Sequence, residues 1–86
     1  MILLNLDFGT AITWLKDGKK LRRRGWNGKN MFLFQVAGDR FESGKVHGVY
    51  DYPHAPFIAM KTADDKVVPW LASQSDMLAE DWEIVE

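Results

Sequence analysis

Lys19-Lys-Leu-Arg-Arg-Arg-Gly-Trp-Asn-Gly-Lys-Asn-Met-Phe-Leu-Phe-Gln-Val36 holds two extended runs on either side of Asn27-Gly28. An Asn-Gly pair accepts the left-handed backbone of the two-residue turn whose twist matches that of flanking strands, so it is the strongest short signal for a hairpin. In the first run, Lys19–Gly25, Leu21 and Arg23 fall on one face and Lys20, Arg22 and Arg24 on the other. In the second, Met31–Val36, Phe32, Phe34 and Val36 share a face. The two runs read as paired antiparallel strands.

Upstream, Phe8, Ala11, Ile12 and Leu15 recur at helical spacing and make one apolar stripe over Phe8–Asp17. Asp7 is placed to cap its start, and Gly18 to take the left-handed position that ends it. Trp14 flanks the stripe and is expected to cover its edge. Downstream, residues 37–56 form an irregular stretch with three glycines, two prolines and both histidines, His47 and His54. A third strand is expected over Phe57–Thr62, a turn over Ala63–Lys66, and a fourth strand over Val67–Trp70. Pro69 lacks an N–H and puts that strand at an edge or a bulge. Ser73–Ala79 reads as a short helix, with Asp76 three residues after Ser73 in a capping-box arrangement. Asp81–Val85 closes the chain as a strand, Trp82 and Ile84 on one face. The expected fold is α+β, one domain over residues 1–86: a small antiparallel sheet packed with one longer N-terminal helix and one short C-terminal helix.

Composition bounds the function. Of the 86 residues, 47% are hydrophobic and 13% aromatic with a net charge of -1, which argues for a folded chain rather than a disordered one. The absence of cysteine removes disulfides, thiolate metal sites and cysteine nucleophiles together. The apolar start is too short for a membrane helix or a signal peptide, so a soluble cytoplasmic protein is expected. Charge is segregated: Lys16–Lys29 carries seven basic residues and one acid, and Asp64–Glu86 seven acids and one base. Such a split points to internal pairing, head-to-tail association of copies, or a local anion site, and against general binding of polymeric nucleic acid.

Catalytic groups are poorly supplied. His47 and His54 flank Asp51 without the further ligands that a metal centre needs. The adjacent acids Asp64 and Asp65, and Glu80 and Asp81, fall in a turn and at a helix end, where carboxylates are ordinarily solvated. Ser73 and Ser75 lie in no nucleophile elbow, and no phosphate-cradling glycine loop occurs. No catalytic residue, metal or cofactor is therefore assigned. Binding groups are better represented. Arg22-Arg23-Arg24-Gly25-Trp26-Asn27-Gly28 sets guanidinium groups beside an indole and a carboxamide, the means of pairing with phosphate, stacking on a base and reading its edge. A solvated basic strand with a core tryptophan explains that segment equally well. In Pro69-Trp70-Leu71-Ala72-Ser73-Gln74-Ser75-Asp76 a tryptophan precedes small polar residues at a helix start, where N–H groups favour anions. Packing by Trp70 and capping by Ser73 and Asp76 form the alternative.

The motifs Arg24-Gly25-Trp26-Asn27-Gly28-Lys29, Met31-Phe32-Leu33, Met60-Lys61-Thr62-Ala63-Asp64 and the block Val68–Trp82 together resemble the phage Thoeris anti-defence two family, over about Phe8 to Val85. The resemblance implies a sponge: a protein that binds immune signalling nucleotides of an infected bacterium and withholds them without cleavage. The ligand classes it implies are a glycocyclic ADP-ribose made by Thoeris TIR proteins and cyclic dinucleotides of the CBASS type. It also implies a homotetramer with ligand at subunit interfaces, acting in the cytoplasm of the infected host. The matching positions are Arg24, Trp26 and Asn27 in the first motif and Trp70, Ser73, Gln74 and Asp76 in the second. Residues 37–56 depart most from the family and bear on the choice of nucleotide. A small protein-binding inhibitor module of phage or prophage origin is the competing expectation.

Overall fold

A computed structural model of the chain describes residues 4–26, 30–38 and 54–85. Helix α1 spans Phe8–Lys16 and is followed by strands β1 (Lys20–Arg23), β2 (Phe32–Val36), β3 (Phe57–Lys61) and β4 (Val67–Pro69), the short helix α2 (Gln74–Leu78) and strand β5 (Trp82–Val85). Asn27-Gly28, His47 and Asp51 lie outside the described residues, as does most of the irregular stretch. The α+β architecture is the expected one, with each element one to three residues shorter than its pattern.

Local chemistry explains where the elements start and stop. The Asp7 side chain accepts the Thr10 N–H at 2.8 Å, which satisfies one of the donors left over at the start of α1. Gly18 ends the helix with φ 91, a conformation that costs a Cβ-bearing residue energy. Between β3 and β4, the Thr62 N–H donates to Lys66 O at 2.7 Å and Asp65 takes φ 65. That closes the turn expected over Ala63–Lys66. The capping box of α2 is present in both directions, with Ser73 as cap and Asp76 as its partner.

The strands form a single antiparallel sheet in the order β4-β3-β2-β1-β5. Leu21 faces both Leu33 and Ile84, Leu33 faces Met60, and Met60 faces Val68, so one row of apolar side chains crosses all five strands. Helix α1 lies over the β2, β1 and β5 end of this row. A helix of nine residues is not stable alone in water, and its stripe supplies the missing stability by packing. Ala11, Leu15, Leu21, Leu33 and Trp82 form the fully buried core, with Trp14 and Ile12 packed against it. Phe32 and Phe34 point to the other face, opposite Lys61 and Ala59. Pro69 sits on the edge strand β4, where its missing N–H costs no ladder bond. The far edge is β5, and Leu6 adds a single bridge to it by exchanging both backbone hydrogen bonds with Trp82, at 2.8 and 3.1 Å.

Candidate functional site

The site is built around Trp82, which the β5 register places opposite Arg23 and whose ring is fully buried. Its indole N–H donates to the Asp76 carbonyl at 3.1 Å, so the buried polar atom is satisfied. Three aromatic rings surround it. Trp26, from the turn after β1, meets it nearly edge-on with centroids 5.6 Å apart and planes at 80°. Trp70, from the segment before α2, does the same at 6.0 Å and 84°. Phe8 on α1 completes the group, 5.8 Å from Trp82 and 6.4 Å from Trp70. Edge-to-face geometry lets each ring edge meet a π face and adds about 0.5–1.5 kcal/mol per pair beyond burial. Trp26 and Trp70 are half-buried, whereas Trp82 is not exposed at all.

Two of the sequence motifs therefore converge on one residue. Of the seven candidate ligand-binding positions, Trp26, Trp70, Ser73 and Asp76 are gathered about Trp82 or the loop it anchors. Gln74 opens α2 and is exposed. Arg24 is directed elsewhere: it donates to the Asn5 side-chain oxygen and lies 3.7 Å from a Glu83 oxygen. Adjacent residues of a strand face opposite sides, so Glu83 draws Arg24 away from the Trp82 side of the sheet. Asn27 lies outside the described residues.

The basic and acidic blocks meet within the chain, which is the internal-pairing outcome of the charge split. Arg22 donates to Glu83 at 2.8 Å. Arg23 donates through Nε to Asp81 at 2.9 Å and through a terminal nitrogen to Asp76 at 3.1 Å. Burial opposes ionisation of Asp76, yet the Ser73 N–H and hydroxyl and the Arg23 guanidinium outweigh it and hold the carboxyl below the ordinary value. For Asp81, burial is likewise outweighed by Arg23 and the Gly25 N–H. Hydrogen bonds to charged groups in such partly buried settings are each worth about 1.5–3 kcal/mol. The Lys66–Asp64 pair is about 70% exposed on both sides, where water screens the charges and the pair contributes little. The sequence marks Arg23 only as one guanidinium of the basic cluster and gives Asp81 and Trp82 no binding role. The shared face of Leu21 and Arg23 was the available signal, because it turns that guanidinium toward the core side.

Ser73 and Asp76 have local duties as well. The Asp76 N–H donates to Ser73 Oγ at 3.2 Å, and the Ser73 N–H donates to Asp76 Oδ2 at 2.9 Å. Grooves of about 410 and 450 Å³ lie along the end of α1, lined by Thr13 and Trp14, and beside β2 and β3, lined by Phe32 and Lys61, away from Trp26 and Trp70. Among the described residues no His, Asp and Glu side chains gather in a group able to hold a metal, and no helix is long and apolar enough to cross a membrane.

Fold and site together define a small α+β protein that presents two half-exposed tryptophans and a polar helix start around one buried indole. The family model of the Thoeris anti-defense 2-like domain matches residues 6–85. The chain is also similar to the Thoeris anti-defense 2 protein of Bacillus phage SP01, 46% identical over 84 residues that cover 93% of this chain and 94% of the relative. It belongs to the Thoeris anti-defense 2 family and has a phage anti-defence role.

Proposed function

We infer that this protein acts as a sponge, binding an immune signalling nucleotide and withholding it from its effector without cleaving it. The ligand would be a glycocyclic ADP-ribose of Thoeris, a CBASS cyclic dinucleotide, or both. The observation that carries this reading is the convergence of the half-buried Trp26 and Trp70 on Trp82, beside the polar and exposed Ser73–Gln74 segment. Exposed indole faces stack on bases of any identity, and nearby hydroxyl and carboxamide groups can orient a ribose or a base edge.

Sequestration sets an affinity requirement. Competing with an effector calls for nanomolar binding or better, about -12 kcal/mol. A small polar ligand reaches that when it is enclosed. Trp26 and Trp70 are half-buried at the border of the core of a single chain, so enclosure is assigned to neighbouring copies in a homotetramer. The place of action is the cytoplasm of the infected bacterium.

A protein-docking inhibitor is the second reading, favoured by Leu71, before α2, and Leu78, its last residue, which are 91% and 78% exposed. One experiment separates these readings. The protein is incubated with glycocyclic ADP-ribose or a cyclic dinucleotide, separated from unbound nucleotide, and heated to denature it. A sponge releases intact nucleotide. Altered nucleotide would make the protein an enzyme, and no retained nucleotide would leave the docking reading.

A further inference from the structure

Arg23 stands in the basic cluster but outside the seven candidate ligand-binding positions, and its contacts join the two motifs. It is the last residue of β1, with its side chain 22% exposed, and its two donors reach two different carboxylates. Each of those carboxylates uses its second oxygen on one motif. Asp81 Oδ2 accepts the Gly25 N–H at 3.2 Å, immediately before Trp26. Asp76 Oδ2 accepts the Ser73 N–H at 2.9 Å, three residues after Trp70. The backbone repeats the arrangement: Trp26 N–H donates to Arg23 O, and Arg24 N–H to Asp81 O, at 3.2 and 3.0 Å.

We propose that Arg23 is the positioning residue of the Trp26–Trp70 site, fixing the turn of one motif against the loop of the other through Asp81 and Asp76. This rests on the proposed nucleotide-binding reading for its ligand arm. The chemistry calls for arginine. A planar guanidinium holds several donors in set directions and can bridge two carboxylates at once, whereas a lysine ammonium is a point charge on a flexible stem. Asp76 and Asp81 lie 53 and 58 residues away in sequence, so this bridge adds a side-chain tie between the two motifs to the packing of both tryptophans on Trp82. Arg22 is the internal comparison. It carries the same charge one residue earlier, is 46% exposed, and pairs with Glu83 on the opposite face.

The test compares R23K with R22K. In amide NMR spectra of the ligand-free protein, R23K is expected to move the Gly25 and Ser73 resonances together and R22K to leave both in place. Calorimetry with glycocyclic ADP-ribose, at a temperature where R23K is fully folded, is expected to show affinity reduced about ten-fold, because the cost of ordering the two motifs is then met on binding. A purely stabilising Arg23 would lower the melting temperature while leaving the folded protein's amide shifts and affinity as in the parent, and that result overturns the proposal. If R23K does not fold, D81N replaces it. Moving the distant Ser73 amide as well as Gly25 supports the bridge, and moving Gly25 alone overturns it. Should the parent bind no nucleotide, the functional reading fails, while the ligand-free spectra still decide the role of Arg23.

Discussion

Trp26 lies edge-on against Trp82, with centroids 5.6 Å apart and planes at 80°, and the two indoles differ sharply in exposure: Trp82 is fully buried and Trp26 half so. The same substitution should therefore have opposite consequences at the two positions. Trp82→Ala removes the hub of the core and is expected to cost about 3–5 kcal/mol, enough to unfold a domain this small. Trp26→Ala should leave a folded protein that has lost about 1–3 kcal/mol of nucleotide affinity. Thermal melting with calorimetry checks both. A Trp26 variant that melts as early as the Trp82 variant, or binds as well as the parent, would refute the placement of the site.

Leu33 sits at the centre of the apolar row, fully buried between Leu21 and Met60. Leu33→Ala should cost about 2–5 kcal/mol. Phe34→Ala, one residue on and facing the other side, should cost less. Urea unfolding of the two variants gives the ranking directly.

Ser73 and Gln74 are neighbours with different duties. Ser73→Ala removes the cap of α2 and should destabilise by about 0.5–2 kcal/mol, read as a lower melting temperature and faster amide exchange in α2. Gln74→Ala should leave the melting temperature of the empty protein unchanged and weaken nucleotide binding alone.

The carboxyls of Asp76 and Asp81 ionise below the ordinary value of 3.8. A group that ionises more readily when folded stabilises the protein above its unfolded pKa, and that contribution disappears as pH falls through the folded value. Stability should thus hold from neutrality down to about pH 5 and decline below about pH 4. Asp7 and Asp64, also lowered, act in the same direction. Urea titrations from neutral to acid pH should show this decline, with a shallower acid limb in D76N and D81N.

Light scattering of the parent at micromolar concentration should return about four times the chain mass of 9.9 kDa. One chain mass would remove the enclosure that the sponge reading assigns to neighbouring copies.

Most of the fold was legible because its signals are local. Asp7, Gly18, Pro69 and the Ser73–Asp76 box act within a few residues of themselves, and the alternation of Phe32 and Phe34 requires no knowledge of the remainder of the chain. Alternation gives a period and leaves the phase open. That Leu33 faces α1 while Phe32 and Phe34 face away is decided by the strands on either side. The placement of β5 beside β1 was likewise hidden, since it depends on a crossover from one edge of the sheet to the other. The site divides along the same line. Trp26 and Trp70 could be singled out from their neighbours in sequence. Trp82 as their common floor, Arg23 bridging two distant acids, and Arg24 turning to Glu83 are products of the tertiary pairing.

The bridge between Leu6 and Trp82 governs how this sheet can grow. It occupies the first outward-facing backbone pair of β5. At the opposite border, β4 is three residues long and ends in a proline that cannot donate. Strand addition needs a run of exposed donors and acceptors, and both borders are interrupted. Copies of the chain would then join through side-chain faces rather than by lengthening the sheet, which favours closed assemblies of fixed size over open-ended fibres.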